Sequence, residues 1–267
     1  MAKIIKRSIL GTIQGKIGGV SVYNIKNVGA VLRKSGGPSK EQMETNPNFR
    51  VTLKNQKEFG GCATASAALR KGLVVAKEFQ NGDYSGALVG KLRLVAQSGQ
   101  GELGRRDIHL CNAPQHLLNL EIRKDNLFAR TYQAPITVKL NPTRTAIHIN
   151  IPRTGAEDHI KLSKHVTHFQ LTMAVSLVST YRFNTEIDKY EPANVLQNAI
   201  GTSTQSIPLE VNRVHKDILL IAPIPTGIPL AQDVSASVWL GITYGRGERG
   251  QYEDMAVNKS MQCVAVF

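Results

Sequence analysis

The chain has 267 residues and a mass of 29.2 kDa, which is enough to bury a hydrophobic core without disulfides. Hydrophobic residues make up 42% and charged residues 20%, a balance that excludes wholesale disorder and a protein with many membrane spans. The unusual feature is the charge, because 33 basic residues face 20 acidic ones and leave a net charge of +13.

The excess positive charge is concentrated in the first two-fifths of the chain. Residues 1–106 contain 18 Lys and Arg against 6 Asp and Glu, whereas residues 107–267 are close to balanced, with 15 against 14. Residues 1–40 contain no carboxylate and eight basic side chains, namely Lys3, Lys6, Arg7, Lys16, Lys26, Arg33, Lys34 and Lys40. Such a block predicts contact with an anionic partner or with another protein surface.

The first 37 residues read as a glycine-rich β arm. Residues 8–37 alternate β-branched side chains with glycines, and the clearest predicted strands are 19–25 and 29–34 around a turn at Lys26 and Asn27. This arm is too short and too glycine-rich to bury a face of its own. We therefore expect it to lie on the rest of the protein, on another subunit or on a polyanion.

A basic helical region follows. Ser39 and Gln42 have the spacing of a capping box, and Asn46 with Pro47 predicts a second helix start that continues towards Phe79. One face of this helix carries Arg50, Lys54 and Lys57. Residues 60–68 are almost all small, so another backbone could approach closely there, although the glycines at 60 and 61 could equally break the helix. Residues 87–96 form a further helical or extended stretch, and a boundary is predicted at 98–101.

The remainder of the chain reads as an antiparallel β-sandwich. Short apolar runs alternate with Pro, Gly, Asn and Asp turns, and no long helix intervenes. The sequence leaves open whether the topology is immunoglobulin-like or a jelly roll. The predicted strands are 118–123, 136–140, 145–151, 167–179, 182–187, 207–211, 218–222, 234–244 and 261–267.

Two segments match the G-x-G-x-x-G pattern of dinucleotide sites, at residues 99–104 and 245–250. Pro114 interrupts the helix that should follow the first match, and the second lies too close to residue 267 for a βαβ unit. Both segments are therefore interpreted as ordinary loops.

The residues that carry metal or catalytic chemistry are not arranged in a recognisable pattern. His159, His165 and His168 lie near Asp158, but His165 and His168 would point to opposite faces of a strand, so we interpret the histidines as solvent-exposed or capped. The three cysteines are widely spaced, which is unlike a disulfide framework or a zinc motif and indicates buried small hydrophobes; they are Cys62, Cys111 and Cys263. No catalytic triad, metal or cofactor site is expected.

The N-terminal segment is basic but has no continuous apolar stretch of the kind found in secretory signals. The longest strongly apolar run, at residues 171–178, is far shorter than a membrane span. The expected location is therefore the cytoplasm.

Both ends of the chain resemble uncharacterised Bacteroidota-type proteins with a glycine-rich basic N-terminus and a C-terminal β-domain. The resemblance is carried by residues 9–18, Ile-Leu-Gly-Thr-Ile-Gln-Gly-Lys-Ile-Gly, and by residues 238–242, Val-Trp-Leu-Gly-Ile, together with residues 250–252 and the final apolar strand. It implies a fold and carries no catalytic residue across.

The sequence thus predicts an α+β protein with a basic β arm at 1–37, a helical basic region at 38–106 and an antiparallel β-sandwich at 107–267. We expect a non-enzymatic structural protein that assembles with copies of itself, as a filament, shell or phage-like particle. The alternative is a nucleic-acid-binding protein without sequence preference, and neither a membrane nor a small-molecule substrate is expected as a partner. The predicted contact residues are Lys3, Lys6, Arg7, Lys16, Lys26, Arg33, Lys34, Arg50, Lys54 and Lys57.

Overall fold

The computed structural model describes residues 2–3, 15–25, 29–34, 36–160, 162–248 and 251–267. The chain divides into two compact units, Met1–Leu53 and Lys54–Phe267. Helices combine with antiparallel sheets, so the predicted α+β class is confirmed. The sequence predicts domain boundaries after residues 37 and 106. These boundaries differ from the division between Leu53 and Lys54, and they stay a prediction.

The N-terminal unit contains a four-stranded antiparallel sheet in the order β1-β4-β3-β2. Its strands are β1 (Ala2–Lys3), β2 (Gly15–Ile17), β3 (Val20–Ile25) and β4 (Gly29–Lys34). Gly18 and Gly19 connect β2 to β3 with φ values of +50° and +77°, a conformation that favours glycine at both positions. The two predicted strands of the arm are confirmed, whereas Lys26 and Asn27 lie outside the described residues.

Helix α1 (Lys40–Thr45) begins at the predicted capping box. The Ser39 side chain accepts a hydrogen bond from the Gln42 backbone, and the Gln42 side chain accepts one from the Ser39 backbone. Asn46 and Pro47 then open a short 3-10 turn (Pro47–Phe49) before helix α2 (Arg50–Gly72). Gly60 and Gly61 do not interrupt α2. The helix ends at Gly72 rather than near Phe79, and α3 (Ala76–Phe79) and α4 (Ser85–Gln97) follow.

Ten strands form the rest of the second unit. A five-stranded sheet has the order β10-β7-β13-β14 with β11 paired to β7, a three-stranded sheet has the order β12-β6-β5, and β8 pairs with β9. Their bounds are β5 (Thr137–Leu140), β6 (Ala146–Thr154), β7 (His168–Ser179), β8 (Tyr181–Asn184), β9 (Lys189–Pro192), β10 (Ile200–Gln205), β11 (Leu209–Glu210), β12 (His215–Pro223), β13 (Val234–Glu248) and β14 (Gln251–Val266).

The five-stranded sheet separates two hydrophobic cores. Alternate side chains of β7, such as Leu171 and Met173, pack with the inner face of the three-stranded sheet. Side chains on the opposite face, including Ala174 and Trp239, pack with the helices. The second unit is therefore a sheet-on-sheet core with a helical layer on the outer face of the larger sheet.

The strands differ from the predicted ones at three places. Residues 118–123 are not a continuous strand, although they make backbone hydrogen bonds to β14 and an isolated bridge between Glu121 and Gln262, because Asn119 has a φ of +60° that interrupts an extended strand. Strand β9 was not expected. Strand β10 was not expected either, because its largely polar sequence, Ile-Gly-Thr-Ser-Thr-Gln, shows no alternation of apolar side chains; the strand lies at an edge of the five-stranded sheet.

None of the helices in the described part of the chain combines the length and the hydropathy needed to cross a bilayer. All three cysteines are free thiols. Cys62 and Cys263 are buried, as expected, while Cys111 is partly exposed, and burial raises the pKa of Cys62 to about 12.

Candidate functional site

The described residues of the N-terminal unit bury few apolar side chains. Among its described residues, the buried apolar side chains are Val22, Ala30 and Val31. Helix α1 and the 3-10 turn that follows it contain no buried residue. Because ordering each residue costs conformational entropy, the described residues of this unit would gain stability from a further surface against which to pack.

The sheet of this unit presents apolar side chains at its surface. Among the described residues, Ala2 and Lys3 of β1 pair with Leu32 and Val31 of the six-residue β4. Tyr23 and Ile25 of β3 are 37% and 41% exposed. A groove of about 510 Å³ lies within the unit and is lined by Ser21, Tyr23, Arg33, Lys34, Gly36, Gly37, Pro38, Ser39 and Gln42.

The structure distributes the predicted contact residues over both units. Lys6, Arg7 and Lys26 lie outside the described residues. Lys3 is in β1, Lys16 is in β2, and the exposed Arg33 and Lys34 end β4. Arg50 is the exposed first residue of α2, whereas Lys54 and Lys57 belong to the second unit.

In the second unit, Lys57 forms one side of a basic groove. Its Nζ lies 2.5 Å from Oδ1 of Asp188 and 5.5 Å from the centroid of the Phe183 ring. The Arg105 guanidinium lies 5.3 Å from the centroid of the same ring. The groove has a volume of about 260 Å³ and is lined by Gln56, Lys57, Gly60, Gly61, Thr64, Phe183, Asp188, Lys189 and Tyr190.

Local backbone geometry brings these side chains together. The β8–β9 hairpin pairs Phe183 with Tyr190, and Asp188 in its turn has a φ of +56°. The Tyr190 hydroxyl donates to the backbone carbonyl of Arg106 at 3.0 Å and so ties the hairpin to the loop that carries Arg105. Sequence reasoning missed Arg105 and Phe183 because they are distant in the chain from α2, and no local pattern relates them.

Small residues of α2 allow close packing inside the fold. A Cβ added at Gly61 would lie 2.5 Å from the Tyr190 ring, and one added at Gly72 would lie 2.4 Å from the carbonyl oxygen of Ile200. The Ser176 hydroxyl also donates to the Leu69 carbonyl at 2.8 Å. The close approach of a backbone occurs at Gly72, outside the predicted stretch 60–68, where Gly61 instead meets a side chain, so the expectation for residues 60–68 stays a prediction.

A polar cleft of about 340 Å³ surrounds His109. The Thr180 hydroxyl donates its proton to the backbone carbonyl of Asp233. The hydrogen bond of 2.7 Å between His109 Nδ1 and the Thr180 oxygen is therefore assigned with Nδ1–H as the donor, and Nε2 then carries the lone pair of the neutral ring. Burial lowers the pKa of His109. The cleft is lined by Gln100, Asp107, His109, Asn112, Thr180, Arg182, Gln232 and Asp233.

In this cleft His109 is a neutral base, and the nearby thiol of Cys111 is not an activated nucleophile. The nearby Cys111 thiol donates to Ser235 at 3.3 Å, and burial raises its pKa, which disfavours the thiolate. The arrangement suits hydrogen bonding to a polar group better than nucleophilic catalysis.

The motifs considered from the sequence lie in ordinary positions. Residues 99–104 form a loop after α4, as predicted, whereas Gly245 and Gly247 of the second match lie in strand β13. His165 is exposed, but His159 is buried with its Nδ1 2.9 Å from the Tyr244 hydroxyl, so of the two interpretations, solvent-exposed or capped, the solvent-exposed one is wrong for His159. Within the described ranges, no three His, Cys, Asp or Glu side chains are grouped to hold a metal ion.

Comparisons of this chain with protein-family models, with curated proteins and with solved structures find no match.

Proposed function

We propose that this chain is a non-enzymatic structural protein that assembles with copies of itself through its N-terminal unit. The observation that carries the proposal is the small interior of that unit, in which Val22, Ala30 and Val31 are the buried apolar side chains among the described residues. A sheet with so few buried described side chains would gain stability from a neighbouring subunit.

The proposed contact is strand addition. Among the described residues the four-stranded sheet ends at β1 on one side and at β2 on the other, and a strand from another copy would add at one of these edges. Exposed Tyr23 and Ile25 of the inner strand β3 would supply apolar contact to the other copy on a face of the same sheet. Because each copy carries the same unit, repetition of one contact produces a closed ring or shell, or an open filament.

Deletion of residues 1–37 tests the proposal. We expect the truncated chain to keep its β-sheet circular dichroism, since both cores of the second unit lie outside the deleted segment. It should sediment as a smaller species than the full chain. If both chains sediment as the same species, the N-terminal unit does not hold subunits together; if the truncated chain unfolds, the segment belongs to its own subunit's core.

A second test leaves the unit in place. The double variant Tyr23→Ser and Ile25→Ser should shift sedimentation towards smaller species. The matched control is Val195→Ser with Leu196→Ser, because these side chains are 75% and 77% exposed in a loop of the second unit. Dissociation by the control pair alone would contradict the proposed contact.

A second candidate function is binding to nucleic acid without sequence preference. It is supported by the basic groove, in which Lys57 and Arg105 flank Phe183. Charge reversal at Arg50, Lys54 and Lys57 should weaken such binding, and affinity should fall steeply with salt because bound counterions are released. Binding that stays constant over a roughly fourfold rise in salt would contradict this function.

A further inference from the structure

We propose that the groove between α2 and the β8–β9 hairpin binds phosphates of a nucleic-acid backbone, and that Asp188 occupies part of this site in the free protein. The proposal rests on the second candidate function and assigns it a site. It is independent of assembly through the N-terminal unit.

Cations from three separate segments converge at the groove. Lys57 of α2 and Lys189 of β9 line the groove, and Lys54 lies one turn before Lys57 on α2, beside the lining residues. A Cβ added at Gly104 would lie 2.8 Å from Cβ of Lys54, so the loop that carries Arg105 lies directly against this part of the helix. Several positive groups in one concave region are suited to a chain of phosphates rather than to a single small anion.

The charges at the groove are incompletely neutralised by protein carboxylates. Glu58 is engaged by Arg106, and Asp107 by Arg182. Asp188 is engaged by Lys57. Within the part of the chain that the structure describes, no ion pair involves Lys54, Arg105 or Lys189, and these side chains remain available to an external anion.

Phe183 positions two of the cations before any ligand arrives. Distances of 5.5 and 5.3 Å from one ring centroid place Lys57 Nζ and the Arg105 guanidinium at most about 11 Å apart. Two charges held near one ring can contact neighbouring phosphates of a strand. The cations lie close to Phe183 itself, so base stacking on this ring is not part of the proposed contact, and sequence preference should be slight.

The floor of the groove allows close approach. Gly60 lies beside the lining residues Gln56 and Thr64, and a Cβ added at Gly60 would meet no atom within 4 Å. The open space next to this glycine lies on the same side of α2 as Lys57, so a phosphate can reach the Lys57 ammonium without displacing packed side chains.

Asp188 is placed to compete with a phosphate. Its carboxylate accepts from Lys57, yet 60% of its side chain is exposed, so the pair can exchange with solvent ions. A bound phosphate would replace this carboxylate at Lys57. Removal of the Asp188 charge should therefore strengthen binding, an effect opposite to that of removing a cation.

The experiment measures fluorescence polarisation of a labelled 20-nucleotide single-stranded DNA with the full chain over a range of salt concentrations. Arg105→Gln and Lys54→Gln should each weaken binding about fivefold and reduce the slope of log affinity against log salt by about one contact. Asp188→Asn should strengthen binding several-fold. The control Lys139→Gln removes the same charge from an exposed position on β5, in the other layer, and should leave affinity nearly unchanged.

The possible outcomes distinguish failure of the proposed site from failure of nucleic-acid binding as a function. Equal, small effects of Arg105→Gln and Lys139→Gln would overturn the site while leaving DNA binding intact. No change with Asp188→Asn would overturn its role as a competitor. Failure of the unaltered chain to bind DNA at low salt would reject both the site and the second candidate function. If the variants alter heparin binding but not DNA binding, the assignment of phosphate is wrong.

Discussion

Glu58 and Arg106 form a two-point ion pair between α2 and the loop after α4. Nε of Arg106 donates to Oε2 of Glu58 at 2.9 Å, and Nη2 donates to Oε1 at 2.6 Å. The backbone N–H of Gly104 donates to the same carboxylate at 3.1 Å. Since Glu58 is buried, these donors replace the water that its carboxylate would otherwise contact, and the pair fixes the loop that carries Arg105.

Loss of Arg106 should therefore destabilise the fold strongly. Arg106→Ala leaves a buried carboxylate without its main partner, and we expect the free energy of unfolding to fall by about 3 kcal/mol. Arg106→Lys should recover only part of this loss, because an ammonium cannot reproduce the two-point geometry. Urea unfolding measures both changes. A loss below about 1 kcal/mol for Arg106→Ala would mean that the pair behaves as an exposed one.

Two adjacent glycines of α2 should respond in opposite ways to alanine. Gly60→Ala adds a methyl group in open space and should stabilise the helix by about 1 kcal/mol. Gly61→Ala drives a methyl group into the Tyr190 ring, whose hydroxyl is bonded to the Arg106 carbonyl, and should destabilise the fold. Thermal unfolding of the two variants provides the comparison. Equal behaviour of the pair would rule out tight packing of Tyr190 on α2.

The stability of the protein should depend on the protonation of Glu121. Burial raises the pKa of Glu121 from its ordinary value of 4.5 to about 7, although Phe128 N–H donates to the carboxylate. Between these two pKa values the folded state holds a proton on Glu121 that the unfolded chain releases. The contribution of Glu121 to the free energy of unfolding is therefore fully present below pH 4.5 and declines as the pH rises towards 7. Glu121→Gln should flatten this decline, as measured by urea unfolding from pH 4.5 to 7.5. An unchanged pH profile would exclude the effect.

His159 should act in the opposite direction. Burial lowers the pKa of His159 from 6.5 to about 4, and its Nδ1 lies 2.9 Å from the Tyr244 hydroxyl. The unfolded chain takes up a proton that the folded chain resists, so stability should fall as pH drops from 6.5 towards 4. His159→Phe should reduce this fall in stability. The comparison is made in the Glu121→Gln background, which removes the opposite pH dependence caused by Glu121. If the acid-side slope persists in the double variant, other groups cause it.

Local signals in the sequence were sufficient for many elements. The capping box at Ser39 and Gln42 depends on two residues three positions apart, and the structure contains both of its hydrogen bonds. The alternation of Ile147, Ile149 and Ile151 marks β6 because a strand with one buried face repeats every two residues. The polar strand β10 has no such alternation and was missed.

The candidate sites show where local reasoning ends. Lys54 and Lys57 could be identified from charge along a helix face, but their neighbours Arg105 and Phe183 are about 50 and 130 residues away in the chain. Likewise, the burial of His159 depends on Tyr244, which a strand in the middle of the larger sheet brings beside it.

The sequence by itself determined the α+β class, the helix starts at Ser39 and Asn46, most strands and the basic character of the first 106 residues, since composition, capping and periodicity act over a few residues. Only the tertiary structure decided that α2 packs its small residues on its own sheet, that Asp188 pairs with Lys57, and that Glu58 is held by Arg106. These contacts join residues far apart in the chain, and their energies depend on burial and on distances that exist only once the sheets and helices have packed.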